Sequence, residues 1–136
     1  MKSLQIASAL IELGAGLALL SYPSVAVALL VGARLEEPAA LTVARVCGAG
    51  LLALGIACWL ARADAQSRAA TGLVAAMLVY DLLVAALLAF AALRNGLSGV
   101  ALWPAVVLHS LMSVWCVACL RHSSTNLSLL NSNRET

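Results

Sequence analysis

Charge is what this chain has least of. Only 10% of its 136 residues are Asp, Glu, Lys or Arg, against about 25% in an average soluble domain. That leaves too little polar surface to face water and excludes an ordinary soluble globule. Long polar stretches are also missing between the apolar runs, so no extramembrane domain large enough for catalysis is expected, which disfavours an ordinary enzyme. The net charge of +2 gives no reason to invoke nucleic acid. Histidine is scarce too, with two in the chain. His109 and His122 fall on one predicted helix about 20 Å apart along its axis. They cannot clasp one iron, and a bis-histidine haem is disfavoured.

Hydrophobic residues fill 63% of the chain. A spanning helix needs roughly 20 apolar residues, and four runs qualify: Leu4 to Val31, Pro38 to Leu60, Ala69 to Leu93 and Leu102 to Leu120. The short joining segments GARLEEP, ARADAQSR and RNGLSG hold most of the charge. The expected fold is therefore an all-α integral membrane four-helix bundle, one domain over 1–121, followed by a polar, unstructured cytoplasmic tail over 122–136. Lys2 and the small residues Ala26, Val27 and Ala28 resemble a secretory leader. Glu12 in the middle of the would-be apolar region argues against cleavage, and the segment is expected to be retained.

The first run is too long for one straight crossing, about 42 Å against a hydrocarbon core of about 30 Å. Pro23 removes a backbone donor and disfavours helix at Tyr22. A kink is expected there, with Tyr22 at interface level. Pro38 behind Glu36 and Glu37, Ser67 as an N-cap, and Trp103–Pro104 supply the other start signals. Trp59 and Arg62 close the second span. If the helices alternate, Lys2, Arg62, Arg68, Arg121 and Arg134 share one side and Arg34 and Arg94 the other, which puts both termini in the cytoplasm.

Four ionisable residues lie inside the spans: Glu12, Arg45, Asp81 and His109. Such groups are expensive in hydrocarbon, about 2.5 to 3.5 kcal/mol for Asp or Arg on insertion scales, so each should turn inward and find a partner. Counting residues from the span ends pairs Glu12 with Arg45 and Asp81 with His109. Tyr80, Ser110 and Ser113 are placed to extend the network by hydrogen bonds. A cluster of this kind suits the polar head group of a quinone or lipid, or a proton relay. Gly14, Gly16, Gly48, Gly50 and Gly55 read as close helix packing. Cys116 and Cys119 form a Cys-x-x-Cys, on one helix face by their i,i+3 spacing. Cys58 is expected at similar depth. Three thiols there can serve membrane redox chemistry or a soft metal, although cysteine is also simply a small apolar residue in such helices.

The run Glu12–Leu13–Gly14–Ala15–Gly16, then Pro23, then Ala44–Arg45–Val46–Cys47–Gly48 with Gly55 and Trp59, resembles small bacterial four-helix membrane proteins of the DoxX-like type. Tyr80–Asp81 and the stretch from Leu102–Trp103–Pro104 to His109 are similar to uncharacterised bacterial relatives. The resemblance implies a multi-pass protein of the bacterial inner membrane. Some DoxX-like members are small subunits of quinone-linked oxidase or sulfur-oxidising systems. No catalytic motif carries over. The expected function is a non-enzymatic accessory subunit, or a bundle that binds a quinone- or lipid-type small molecule. Proton-coupled solute transport by an oligomer, and thiol chemistry at Cys58, Cys116 and Cys119, are the alternatives. The expected partners are the lipid bilayer and a homo-oligomer or larger membrane complex.

Overall fold

The structure, a computed structural model, describes the backbone of residues 1–132 and the side chains of residues 1–122. It is all-helical: α1 (Lys2–Ser21), α2 (Pro23–Val31), α3 (Pro38–Ala61), α4 (Arg68–Asn95) and α5 (Leu102–Ser132), with a 3-10 turn Arg62–Asp64 between α3 and α4. Among the described residues, four helices are long and apolar enough to cross a membrane: α1, α3 with its 3-10 extension, α4, and α5 up to His122. The expected break in the first run is present. Tyr22 leaves the helical region, and Pro23 takes the first position of α2, where its missing N–H costs nothing. The Ser67 hydroxyl accepts from the Ala70 amide at 3.1 Å and caps α4 as expected. Arg62 lies over the Trp59 ring, 3.6 Å from its centroid, so the anchor at the end of α3 is a cation–π pair.

One expectation on length needs correcting. The fourth apolar span ends at His122, as expected, but where an unstructured tail was expected the helix goes on, and α5 continues to Ser132. Residues 133–136 of that tail lie outside the described residues.

Each spanning helix buries only a narrow stripe. On α1 it is Leu4, Gln5, Ser8, Ala9, Glu12 and Gly16; on α4 it is Ala70, Val74, Met77 and Asp81. These spacings of three and four are one face of a helix. The opposite faces carry exposed Leu10, Leu17, Val43, Ile56, Leu87 and Phe90. An apolar exterior of this extent fits hydrocarbon and not water.

The helices associate as two close pairs. In the first, α1 and α3 touch backbone to backbone. A Cβ at Gly16 would stand 2.8 Å from the Gly48 carbonyl oxygen and 2.8 Å from the Leu52 amide nitrogen. Hydrophobic force does not drive helices together in lipid, so close approach through glycine is what holds this pair. The second pair is α4 with α5. Side chains fill the space between the pairs. Leu4 and Ala9 of α1, Cys58 of α3, Val74 and Met77 of α4, and Met112 and Cys116 of α5 form one buried cluster. All of these lie in the half of the bundle that holds the chain's N-terminus. At the other end, the Ala101 amide donates to the Leu29 carbonyl at 2.9 Å and ties the end of α2 to the α4–α5 connection.

Candidate functional site

The two helix pairs meet at mid-span across polar side chains. Glu12 is 2% exposed and Asp81 1%. Asp81 Oδ1 and His109 Nδ1 are 2.7 Å apart, so α4 and α5 are joined as the residue count predicts. At this distance the bond falls in the charge-assisted range. Tyr80 is the neighbour of Asp81 in sequence, and its hydroxyl donates to Glu12 Oε2 at 3.3 Å. Its ring meets the His109 ring edge to face, with centroids 5.7 Å apart. Glu12, Tyr80, Asp81 and His109 therefore form one layer contributed by α1, α4 and α5.

Arg45 is not part of it. The expected Glu12–Arg45 pair does not form; Arg45 is exposed on α3. Two geometric facts explain this. The buried stripe of α3 runs through Ala44 and Gly48, and one residue beyond Ala44 turns about 100° away from it. The register also differs from the count. Gly55 abuts Leu13 and Ala9 while Gly48 abuts Gly16 and Leu19, so Arg45 stands level with the end of α1, about 13 Å along the axis from Glu12. Tyr80 serves Glu12 instead. Ser110 and Ser113 do not extend the network either: each hydroxyl donates back to a carbonyl of its own helix, Val106 at 2.8 Å and His109 at 2.9 Å.

Two residues of the site escaped the sequence reading. Gln5 and Ser8 are 1% and 2% exposed on the α1 stripe that leads to Glu12. Among the described residues, both Gln5 amide atoms, Ser8 Oγ and Asp81 Oδ2 are buried without a hydrogen-bond partner. The signal was available: positions 5, 8 and 12 are spaced three and four apart, so their polar groups share a face.

The thiols are separate from this layer. Cys58 and Cys116 sit at 1% and 0% exposure in the apolar cluster, Cys119 packs at its edge, and Cys47 is exposed. All four are free thiols. Among the described residues no three of His, Cys, Asp and Glu are grouped to hold a metal ion, so the soft-metal set Cys58, Cys116 and Cys119 is not assembled. His109 and His122 both lie on α5.

An apolar groove opens between α4 and α5, lined by Leu78, Leu82, Ser113, Val114 and Val117. None of the residues lining the groove belongs to the polar layer. Comparison of the chain with protein families, with curated proteins and with solved structures gives no match.

Proposed function

We propose that this protein is a non-enzymatic membrane bundle that holds the polar head group of a lipid-soluble small molecule, of the quinone or lipid class, against Glu12, Tyr80, Asp81 and His109. It acts alone or as an accessory subunit of a larger membrane complex. The observation that carries this reading is Asp81 Oδ2, buried in the layer without a hydrogen-bond partner among the described residues, beside a second buried carboxylate, Glu12. Leaving such an atom unpaired costs about 1–3 kcal/mol, and a head group with a hydroxyl to donate would satisfy it. The layer supplies both donors and acceptors. The apolar groove along Leu78, Leu82 and Val117 suits an adjoining tail.

The cations Lys2, Arg62, Arg68 and Arg121 at one end, against Arg34 and Arg94 at the other, support cytoplasmic termini. The DoxX-like resemblance supports a bacterial inner membrane, and it is part of this proposal.

The test is native mass spectrometry of the protein extracted gently from its own membrane. A retained adduct of quinone or lipid size is expected in the wild type. It should be lost in the Glu12→Gln, Asp81→Asn double variant and kept in Arg45→Ala, whose side chain points away from the layer. A bare oligomer with no adduct would overturn the reading. That result would favour the second one, proton-coupled transport by an oligomer, which the buried Asp81–His109 bond supports. Flux into liposomes that depends on Asp81 and His109 would then be expected.

A further inference from the structure

Arg45 is a permanent charge on the lipid face of α3. Its guanidinium makes no hydrogen bond or ion pair among the described residues, and it does not give up its proton. Val43 and Val46 beside it are exposed on the apolar exterior, where an unpaired charge is costly. Depth along the bundle narrows the choice of partner. Glu12 lies at the middle of α1, Lys2–Ser21, and Arg45 stands about 13 Å from it along the axis. With Glu12 at the bilayer midplane the hydrocarbon ends about 15 Å away, so the Arg45 backbone lies just inside that edge. The other end of α3 gives a similar depth. Arg62, the cation of the Trp59 anchor, is about 26 Å away, against about 30 Å of hydrocarbon. Tyr22, exposed at the end of α1, stands level with Arg45, and aromatic rings gather at that interface. From such a depth an arginine keeps its stem in hydrocarbon and carries its charge to the head groups.

Two anions can meet a charge there: a carboxylate of a second copy, or the phosphate of a lipid. The chain's own acids argue against the first. Glu12 and Asp81 are buried, and Asp64 is in the 3-10 turn at the opposite end of α3. Glu36 and Glu37 lie in the α2–α3 connection, and Glu37 is about 12 Å further out along the axis than Arg45. Glu135 lies in the tail, outside the described residues. A second copy inserted in the same sense carries its described acids at the same depths, and none exposed is level with Arg45. Head groups, in contrast, begin at the hydrocarbon edge, and a planar guanidinium takes two phosphate oxygens at once.

We propose that Arg45 is a phospholipid site, holding the phosphate of one lipid in the leaflet on the α2 side against the exterior of the α1–α3 pair. This inference does not rest on the head-group reading. The residues of the polar layer take no part in it, and the lipid lies outside the bundle.

The experiment is solid-state NMR of the full chain in bilayers of phosphatidylglycerol and phosphatidylcholine, in buffer free of phosphate. Arg45 is the one arginine followed by valine, Val46, so carbon-13 arginine with nitrogen-15 valine selects its signals from the rest. The readout is loss of the Arg45 Cζ signal through dipolar coupling to lipid phosphorus-31. In the wild type most of that signal should be lost. The loss should persist in the Glu12→Gln, Asp81→Asn variant, which removes the carboxylates of the polar layer. An Arg45 Cζ that keeps its signal in the wild type would overturn the proposal. So would contact between Arg45 Cζ and a carboxyl carbon of a second copy, read in a mixture of differently labelled chains, which would make this face an oligomer contact. A loss seen in the wild type and absent from the double variant also counts against it, because the phosphate would then belong to the layer's own ligand.

Discussion

Replacing Gly16 by alanine is expected to destabilise the bundle by about 1–3 kcal/mol, the range found when atoms are forced into a packed interior. The added methyl would stand 2.8 Å from two backbone atoms of α3, the Gly48 oxygen and the Leu52 nitrogen, and 2.9 Å from Leu52 Cγ. Backbone cannot swing aside as a side chain can, so α1 and α3 must separate along their contact. Separation forfeits the close packing that holds helices together in lipid. Gly14 is the control, two residues away on the same helix. A methyl there meets nothing within 4 Å, and alanine removes glycine's conformational penalty, a gain of roughly 0.5–1 kcal/mol. Unfolding in mixed micelles checks both. Opposite signs are expected, and equal effects at the two sites would refute the close α1–α3 contact.

Asp81→Ala is expected to cost about 3–5 kcal/mol, the loss typical of breaking a buried ion pair by removing one partner. A second magnitude competes with this one. Hydrogen bonds between membrane helices average about 0.6 kcal/mol and reach about 1.7. Burial decides for the larger value: truncating one partner leaves the other's polar group unmet in a site that water does not reach, and the 2.7 Å contact shows that the two groups are bonded. With side chains 12% and 2% exposed, solvent screens the pair little. The double variant Asp81→Leu, His109→Leu should recover most of the loss, because an apolar pair of similar volume is often neutral or better. A single-variant loss below about 1.7 kcal/mol, with no recovery in the double, would mean a neutral bond.

Much of the fold was legible because lipid imposes length. Runs of some twenty apolar residues gave spans at 38–60 and 69–93, and the helices occupy Pro38–Ala61 and Arg68–Asn95. Pro23 and Ser67 marked their boundaries through chemistry local to each, a missing N–H and a capping hydroxyl. The site was legible in part. Asp81 and His109 are both near mid-span, and counting alone brought them together. Counting failed for Arg45 because it measures depth along one helix. It fixes neither the rotation of that helix nor its register against a neighbour. Ala44 and Gly48 set both for α3, by pressing the small face onto α1. Gln5 and Ser8 were not singled out, although their spacing with Glu12 places all three on one face of α1. The end of α5 was missed because polarity after Arg121 ends a span without ending a helix.

The claim on which the rest depends is that α1, α4 and α5 meet through Glu12, Tyr80, Asp81 and His109 in one layer. Its most direct test is a distance measurement by solid-state NMR in bilayers, on protein with labelled histidine, aspartate, glutamate and tyrosine, in a His122→Gln background that leaves one histidine. The structure predicts dipolar contact between His109 Nδ1 and the Asp81 carboxyl carbon, bonded through an oxygen 2.7 Å away. It predicts a second contact between the Tyr80 ring and the Glu12 carboxyl carbon, whose oxygen lies 3.3 Å from the phenol. Helical shifts throughout α1, α4 and α5 with neither contact present would contradict the layer.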